Sequence, residues 1–85
     1  MKKTYYALFK KAEEGGYEVS FPDIFGGVTC GDDYEDAVFM AKDLLKMVLI
    51  SAPGQCFEPS SKEKLEKLFP DEEVVEITVE LEDKK

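Results

Sequence analysis

The sequence contains no histidine, no arginine and no tryptophan, and only two cysteines. The missing histidine excludes a Cys/His zinc site and any histidine-based catalytic triad. The missing arginine removes the side chain best suited to grip phosphate in a bidentate fork. No run reaches the roughly 18 apolar residues needed to cross a bilayer. Met1-Lys2-Lys3-Thr4 is a basic start, but neither the long apolar stretch nor the small-residue cleavage site of a signal peptide follows it. A cytoplasmic protein without membrane contact is expected. Cys30 and Cys56 lie far apart with no second pair, so two small buried thiols in a reducing compartment are expected in preference to a disulfide.

What is present points to one small folded unit. Of the 85 residues, 44% are hydrophobic and 12% aromatic, enough for a packed core. Acidic side chains outnumber basic ones 19 to 11, for a formal net charge of -8. That balance repels phosphate backbones and leaves little counterion release to drive nucleic-acid binding. It suits a basic protein partner, or simply solubility.

The chain is organised around residues 21–37. Pro22 cannot donate a ladder hydrogen bond, so the strand before it stops or lies at an edge. Asp23 suits a turn, and Gly26 and Gly27 let the chain reverse. Val28-Thr29-Cys30 reads as a short strand broken by Gly31. Asp33 is placed to cap a helix whose first turn carries Glu35 and Asp36 at the positive end of its dipole.

Around that stretch, Lys3 to Lys11 reads as a first strand and Tyr17 to Phe21 as a second. Ala12-Glu13-Glu14-Gly15-Gly16 turns between them. A two-residue loop would set Val19 beside Leu8 or Lys10. A three-residue loop with a bulged glycine would set it beside Phe9 and Ala7, and is preferred because it buries Tyr5, Ala7 and Phe9 with Val19 and Phe21. From Tyr34 to about Ile50, helical spacing joins Tyr34, Val38, Ala41, Leu45, Val48 and Leu49, with Ala37 and Leu44 widening the stripe. Phe39, Met40 and Met47 extend beyond it, either as extra core, the preferred reading, or as a contact surface. Pro53-Gly54 ends the helix. Ser60 to Phe69 resembles a short capped helix with one apolar edge at Leu65, Leu68 and Phe69. In the last strand Val75, Ile77, Val79 and Leu81 alternate with Glu76, Thr78, Glu80 and Glu82, and Glu82 to Lys85 should fray.

The order β-β-β-α-(short α)-β implies an α+β domain: one four-stranded sheet with the long helix on its apolar face. The other sheet face carries Tyr6, Leu8, Lys10, Glu18, Ser20, Glu76, Thr78 and Glu80. Such a face is either solvated or a docking surface for a basic partner.

The tyrosine-rich first strand, the Gly16-Tyr17 return, Phe21-Pro22-Asp23, Gly26, Val28-Thr29, Gly31-Asp32 and Glu35-Asp36-Ala37 together resemble the HicB-type antitoxins. Ala41 and Leu45 fall where that family's helix repeats its small and large apolar positions. Phe25 stands where the family usually has proline, and Gly27 where it often has cysteine. The resemblance implies a partial ribonuclease-H-like fold, with the last strand parallel to the first. It also implies a role: to bind and block a small basic HicA-type toxin, an mRNA-cleaving ribonuclease with a double-stranded-RNA-binding-like fold. Tyr6, Leu8 and Phe25 are then the expected apolar anchors among Glu18, Ser20, Glu76, Thr78 and Glu80. Many relatives continue into a DNA-binding segment. Here residues 1–85 are expected to form a single HicB-like domain without one, acting as a homodimer through exposed strand edges or a helix.

The alternative is an interaction or assembly module of the same fold with no toxin partner. A metal-dependent nuclease ranks third. Its carboxylates would have to converge on two ions about 4 Å apart, and Asp23, Asp32, Asp33 and Asp36 are the only dense group, with Asp23 and Asp33 already suited to turn and cap. No catalytic residue, metal or cofactor is expected. The Asp32–Asp36 run lacks the spacing of a calcium loop, and neither glycine pair is followed by the Gly-Lys-Ser/Thr of a phosphate loop. Lys2, Lys3, Lys10 and Lys11 beside Tyr5, Tyr6 and Phe9 suggest at most a weak RNA site, and direct nucleic-acid binding is not expected.

Overall fold

Glu13 and Glu14, followed by Gly15 at φ 102° and Gly16 at φ 80°, form a tight hairpin loop. It is closed by the Ala12 amide donating to the Gly16 carbonyl. Only glycine reaches these left-handed positions without steric penalty. The loop joins β1 (Lys2–Lys11) to β2 (Tyr17–Ser20), and its length fixes the register with Phe9 opposite Val19. The expected three-residue loop is therefore the one formed. In the computed structural model, which describes residues 2–81, β3 (Val28–Gly31), the helix α1 (Tyr34–Ser51), a 3-10 turn at Pro53–Gln55, the short helix α2 (Lys62–Leu68) and β4 (Glu73–Glu80) follow. The expected fraying of Glu82 to Lys85 lies outside the described residues.

The sheet order is β3-β2-β1-β4, and every neighbouring pair is antiparallel. The α+β class and element order are those expected, but the direction of β4 is not. After α1 has packed on one sheet face, α2 packs on the other. The chain then re-enters beside the end of β1, with Glu73 opposite Phe9 and Glu80 opposite Lys2. A parallel β4 would have to start beside Lys2 instead.

The core lies between α1 and the sheet. Tyr5, Ala7, Phe9, Val19, Phe21, Ile77 and Val79 meet Ala37, Ala41 and Leu45. Small residues at 37 and 41 let the helix sit close to the strands. The Asp33 carboxylate caps α1 by accepting from the Asp36 amide at 2.8 Å, and the Asp36 carboxylate reaches back to the Asp32 amide at 2.9 Å. This reciprocal arrangement, a close variant of the capping box, satisfies donors the helix leaves open and is worth about 1 kcal/mol for the cap alone.

Four expectations about this frame change. Gly31 does not break β3 but ends it, paired with Tyr17. Tyr34 is exposed rather than core, although its ring still packs edge-on to Tyr17 and against Phe9. Phe39 and Met47 stand 65% and 54% exposed, because both point beyond the stripe that meets the sheet. Cys30 is exposed on the outer face of β3 and Cys56 half-buried, and both are free thiols.

Candidate functional site

The pleat assigns every expected docking residue on β1, β2 and β4 to the sheet face opposite α1. Tyr6 lies across from Glu76, and Lys10 from Glu18; Leu8 lies across from both Val74 and Ser20. That face is not continuous. Ser61 caps α2 by accepting from the Lys64 amide, and α2 lays Leu65 over Leu8 and Val74, with Tyr6 and Phe69 at the margin. Leu8 is 3% exposed and belongs to this second small core, so it cannot anchor a partner. Leu68, expected on the apolar edge of α2, is exposed instead.

The lid divides the open surface. Toward the start of β1 lie Tyr6, Glu76, Thr78 and Glu80, with Thr4 and Thr78 hydroxyls 2.8 Å apart. Glu76 and Glu80 are exposed, and Tyr6 and Thr78 are half-buried. Toward the end of β1 lie Lys10, Glu18 and Ser20, beside Val28 and Cys30 of β3. The exposed ends of both groups are of mixed sign, since Lys2 lies across from Glu80 and Lys10 across from Glu18; the first group is the one that carries two carboxylates with hydroxyls and an aromatic edge.

Phe25 projects from a separate place, the loop between β2 and β3, and is 71% exposed. In that loop Pro22 follows the end of β2, and Gly26 adopts φ 76°. Residues 55–57 pair with residues 23–25. The Phe25 amide donates to the Gln55 carbonyl and the Phe57 amide to the Asp23 carbonyl, each at 2.8 Å, around an Ile24–Cys56 bridge. Asp23 does more than turn the chain, since its carboxylate accepts from the Ser60 amide at 2.8 Å and the Ser60 hydroxyl at 2.9 Å. The strap from 55 to 60 is thereby held against the loop. It sets Phe57, 59% exposed, across from Asp23 in the segment paired with the Phe25 loop, an apolar residue absent from the expected docking set. A lone phenylalanine between proline- and serine-rich segments carries no periodicity to mark it.

Under this strap the Tyr5 hydroxyl donates to the Phe57 carbonyl at 2.7 Å. Burial pushes the phenol above its ordinary range, and Cys56, Asp23 and Glu58 add to the rise. The fold thus favours the neutral phenol. Its contribution is complete below the unfolded value of about 10 and is lost as pH rises through the higher folded value. Tyr5→Phe should lower stability at pH 7 by about 0.5–1.5 kcal/mol, the usual worth of such a bond. Denaturant titrations should then show that gap narrowing as pH rises above about 10. An equal gap at both pH values would mean that the phenol is not held neutral.

Three of the four aspartates are committed to structure through their carboxylates: Asp33 caps α1, Asp36 accepts from the Asp32 amide, and Asp23 accepts from Ser60. Among the described residues, no helix is long and apolar enough to cross a membrane.

Comparison with known proteins now bears on the chain. No family model matches it. It is 51% identical over 58 residues to "Antitoxin HicB 1" of Photorhabdus laumondii subsp. laumondii, an alignment covering 68% of this chain and 35% of that protein. The chain thus matches about a third of the length of this curated relative. Its fold matches a chain from a toxin-antitoxin complex of Streptococcus pneumoniae with a TM-score of 0.76 at 24% identity, covering 94% of this chain and 70% of that one. Over the 58 matched residues the chain is similar to a HicB-type antitoxin, and its fold is one found in a toxin-antitoxin complex.

Proposed function

We propose that this chain is the antitoxin of a type II toxin-antitoxin pair, acting without catalysis in the cytoplasm by covering a small basic HicA-type ribonuclease toxin. The observation that carries this reading is the 51% identity to a HicB antitoxin. The net charge of -8 supports it, because an acidic surface steers onto an RNA-binding one and competes with RNA for it. The patch of Tyr6, Glu76, Thr78 and Glu80 would make the charged contact. Phe25, and Phe57 on the strap paired with its loop, would supply apolar contact at a second point. Glu18 and Ser20 sit beyond the α2 lid and would contribute at the rim. The protein acts as a homodimer and does not itself bind nucleic acid.

The test is ribonuclease activity of the product of the neighbouring gene, with and without stoichiometric amounts of this chain. Activity should disappear at a ratio of about one to one, with a co-eluting complex. Glu76→Lys and Glu80→Lys should each weaken the complex by about tenfold or more while leaving the melting temperature within a few degrees. Unchanged dissociation constants for both variants would remove this patch from the interface. Unchanged ribonuclease activity with no complex would favour an interaction module with no toxin partner.

A further inference from the structure

We infer that Asp23 is a positioning residue for partner binding, closing residues 23–25 and 55–57 into a fixed ribbon that presents Phe25 and Phe57 on one face. This rests on the toxin-binding role proposed above and assigns the side chain that organises its apolar contact. Three observations carry it.

The first is the pleat. The Phe25 amide donates to the Gln55 carbonyl and the Phe57 amide to the Asp23 carbonyl, one on each side of the Ile24–Cys56 bridge. Ile24 is buried and Cys56 half-buried, so this pair faces inward. Successive side chains of extended chain alternate between faces. Phe25 and Phe57 therefore share the outward face, at diagonal positions of the pairing, and both stand exposed.

The second is what holds the ribbon closed. One bridge is little pairing, and even an isolated two-stranded hairpin is marginal in water. Side chains supply the rest. The Tyr5 hydroxyl fixes the Phe57 carbonyl to the sheet, while the Asp23 carboxylate accepts from both the amide and the hydroxyl of Ser60. The Asp23 bonds are the ones that span the two segments through a side chain, and an ionised acceptor makes them the stronger class. A contact segment ordered before association loses less entropy when the partner arrives.

The third is charge, and it selects the occupant. The loop at 21–27 and the strap at 55–60 contain Asp23 and Glu58 and no basic residue. Two exposed aromatic rings with carboxylates around them fit a basic protein surface, and they repel the phosphates of a nucleic acid.

The experiment pairs amide hydrogen exchange of the free chain with its affinity for the product of the neighbouring gene. In Asp23→Ala, exchange at the Phe25 and Phe57 amides should quicken at least about tenfold while the amides of α1 keep their rates. Affinity should fall about tenfold. Phe25→Ala should weaken the parent complex by a similar factor but add little in the Asp23→Ala background, where the ring has already lost its place. Asp23→Asn keeps an acceptor for the Ser60 amide and gains a donor to its hydroxyl oxygen. It should restore both readouts, whereas a bare charge contact with the partner would stay lost. Ser60→Ala removes only the hydroxyl bond and should show the same changes in smaller measure, which decides the matter if Asp23→Ala does not fold. Unchanged exchange, faster exchange with unchanged affinity, or additive losses in the double variant would each overturn this role and leave the antitoxin reading standing. A parent chain that forms no complex would overturn that reading and this role with it.

Discussion

Gly31→Ala should lower the melting temperature by about 10–20 °C, the shift that follows from a loss of about 2–3 kcal/mol in a domain of this size. The side chain it adds has nowhere to go. A Cβ at this position would press on the Ala37 backbone nitrogen and lie 2.5 Å from Ala37 Cα and 2.9 Å from Ala37 Cβ. The obstacle is helix backbone and cannot rotate aside. Either β3 must leave its pairing with Tyr17, or α1 must lift from the sheet and carry Ala41 and Leu45 out of their packing. The hairpin shares the crowding, because a Cβ on Gly16 would lie 2.6 Å from the Gly31 carbonyl oxygen. Gly54→Ala is the matched control, with open space around its Cβ, and should change stability by no more than about 0.5 kcal/mol. Equal melting temperatures for the two variants would show that the end of β3 does not pack this closely on the start of α1.

Leu8→Ala should cost about 2–4 kcal/mol, the range for a leucine removed from a packed site. On alternation alone, Leu8 belongs to the polar face and would be a binding anchor whose loss leaves the fold untouched. In the structure it is buried with Leu65 and Val74 beneath α2. Chemical denaturation separates the two cases, since a surface leucine changes stability by about 0.5 kcal/mol or less. Leu68→Ala, on the exposed side of α2, serves as the comparison and should be near neutral. A neutral Leu8→Ala would mean that the lid is not seated. The outer sheet face would then be one continuous docking surface rather than two.

Much of the frame was legible because it depends on short-range chemistry. Strict alternation marked β4, the period of α1 marked its inner stripe, and two glycines after two glutamates marked the hairpin and, through loop length, its register. Asp33 was legible as a cap because a cap needs only one acceptor and the three residues after it. The acidic Glu76 and Glu80 were legible as an outward-facing pair for the same reason. Each of these signals is complete within a few residues of chain.

The remaining features depend on contacts between segments far apart in sequence. Whether Leu8 is surface or core turns on α2, some 55 positions later, and so does the division of the candidate docking face. Asp23 holds Ser60, and the Phe25 amide finds the Gln55 carbonyl, because the 55–60 strap returns to the 21–27 loop. Gly31 is required by the approach of Ala37 rather than by its own backbone angles. The direction of β4 follows from which end of β1 the chain reaches after α2 crosses to the outer face. Local pattern decides which residues can face inward. Only the closing of the chain on itself decides what meets them there, because the hydrophobic effect rewards any burial of apolar surface without naming its partner.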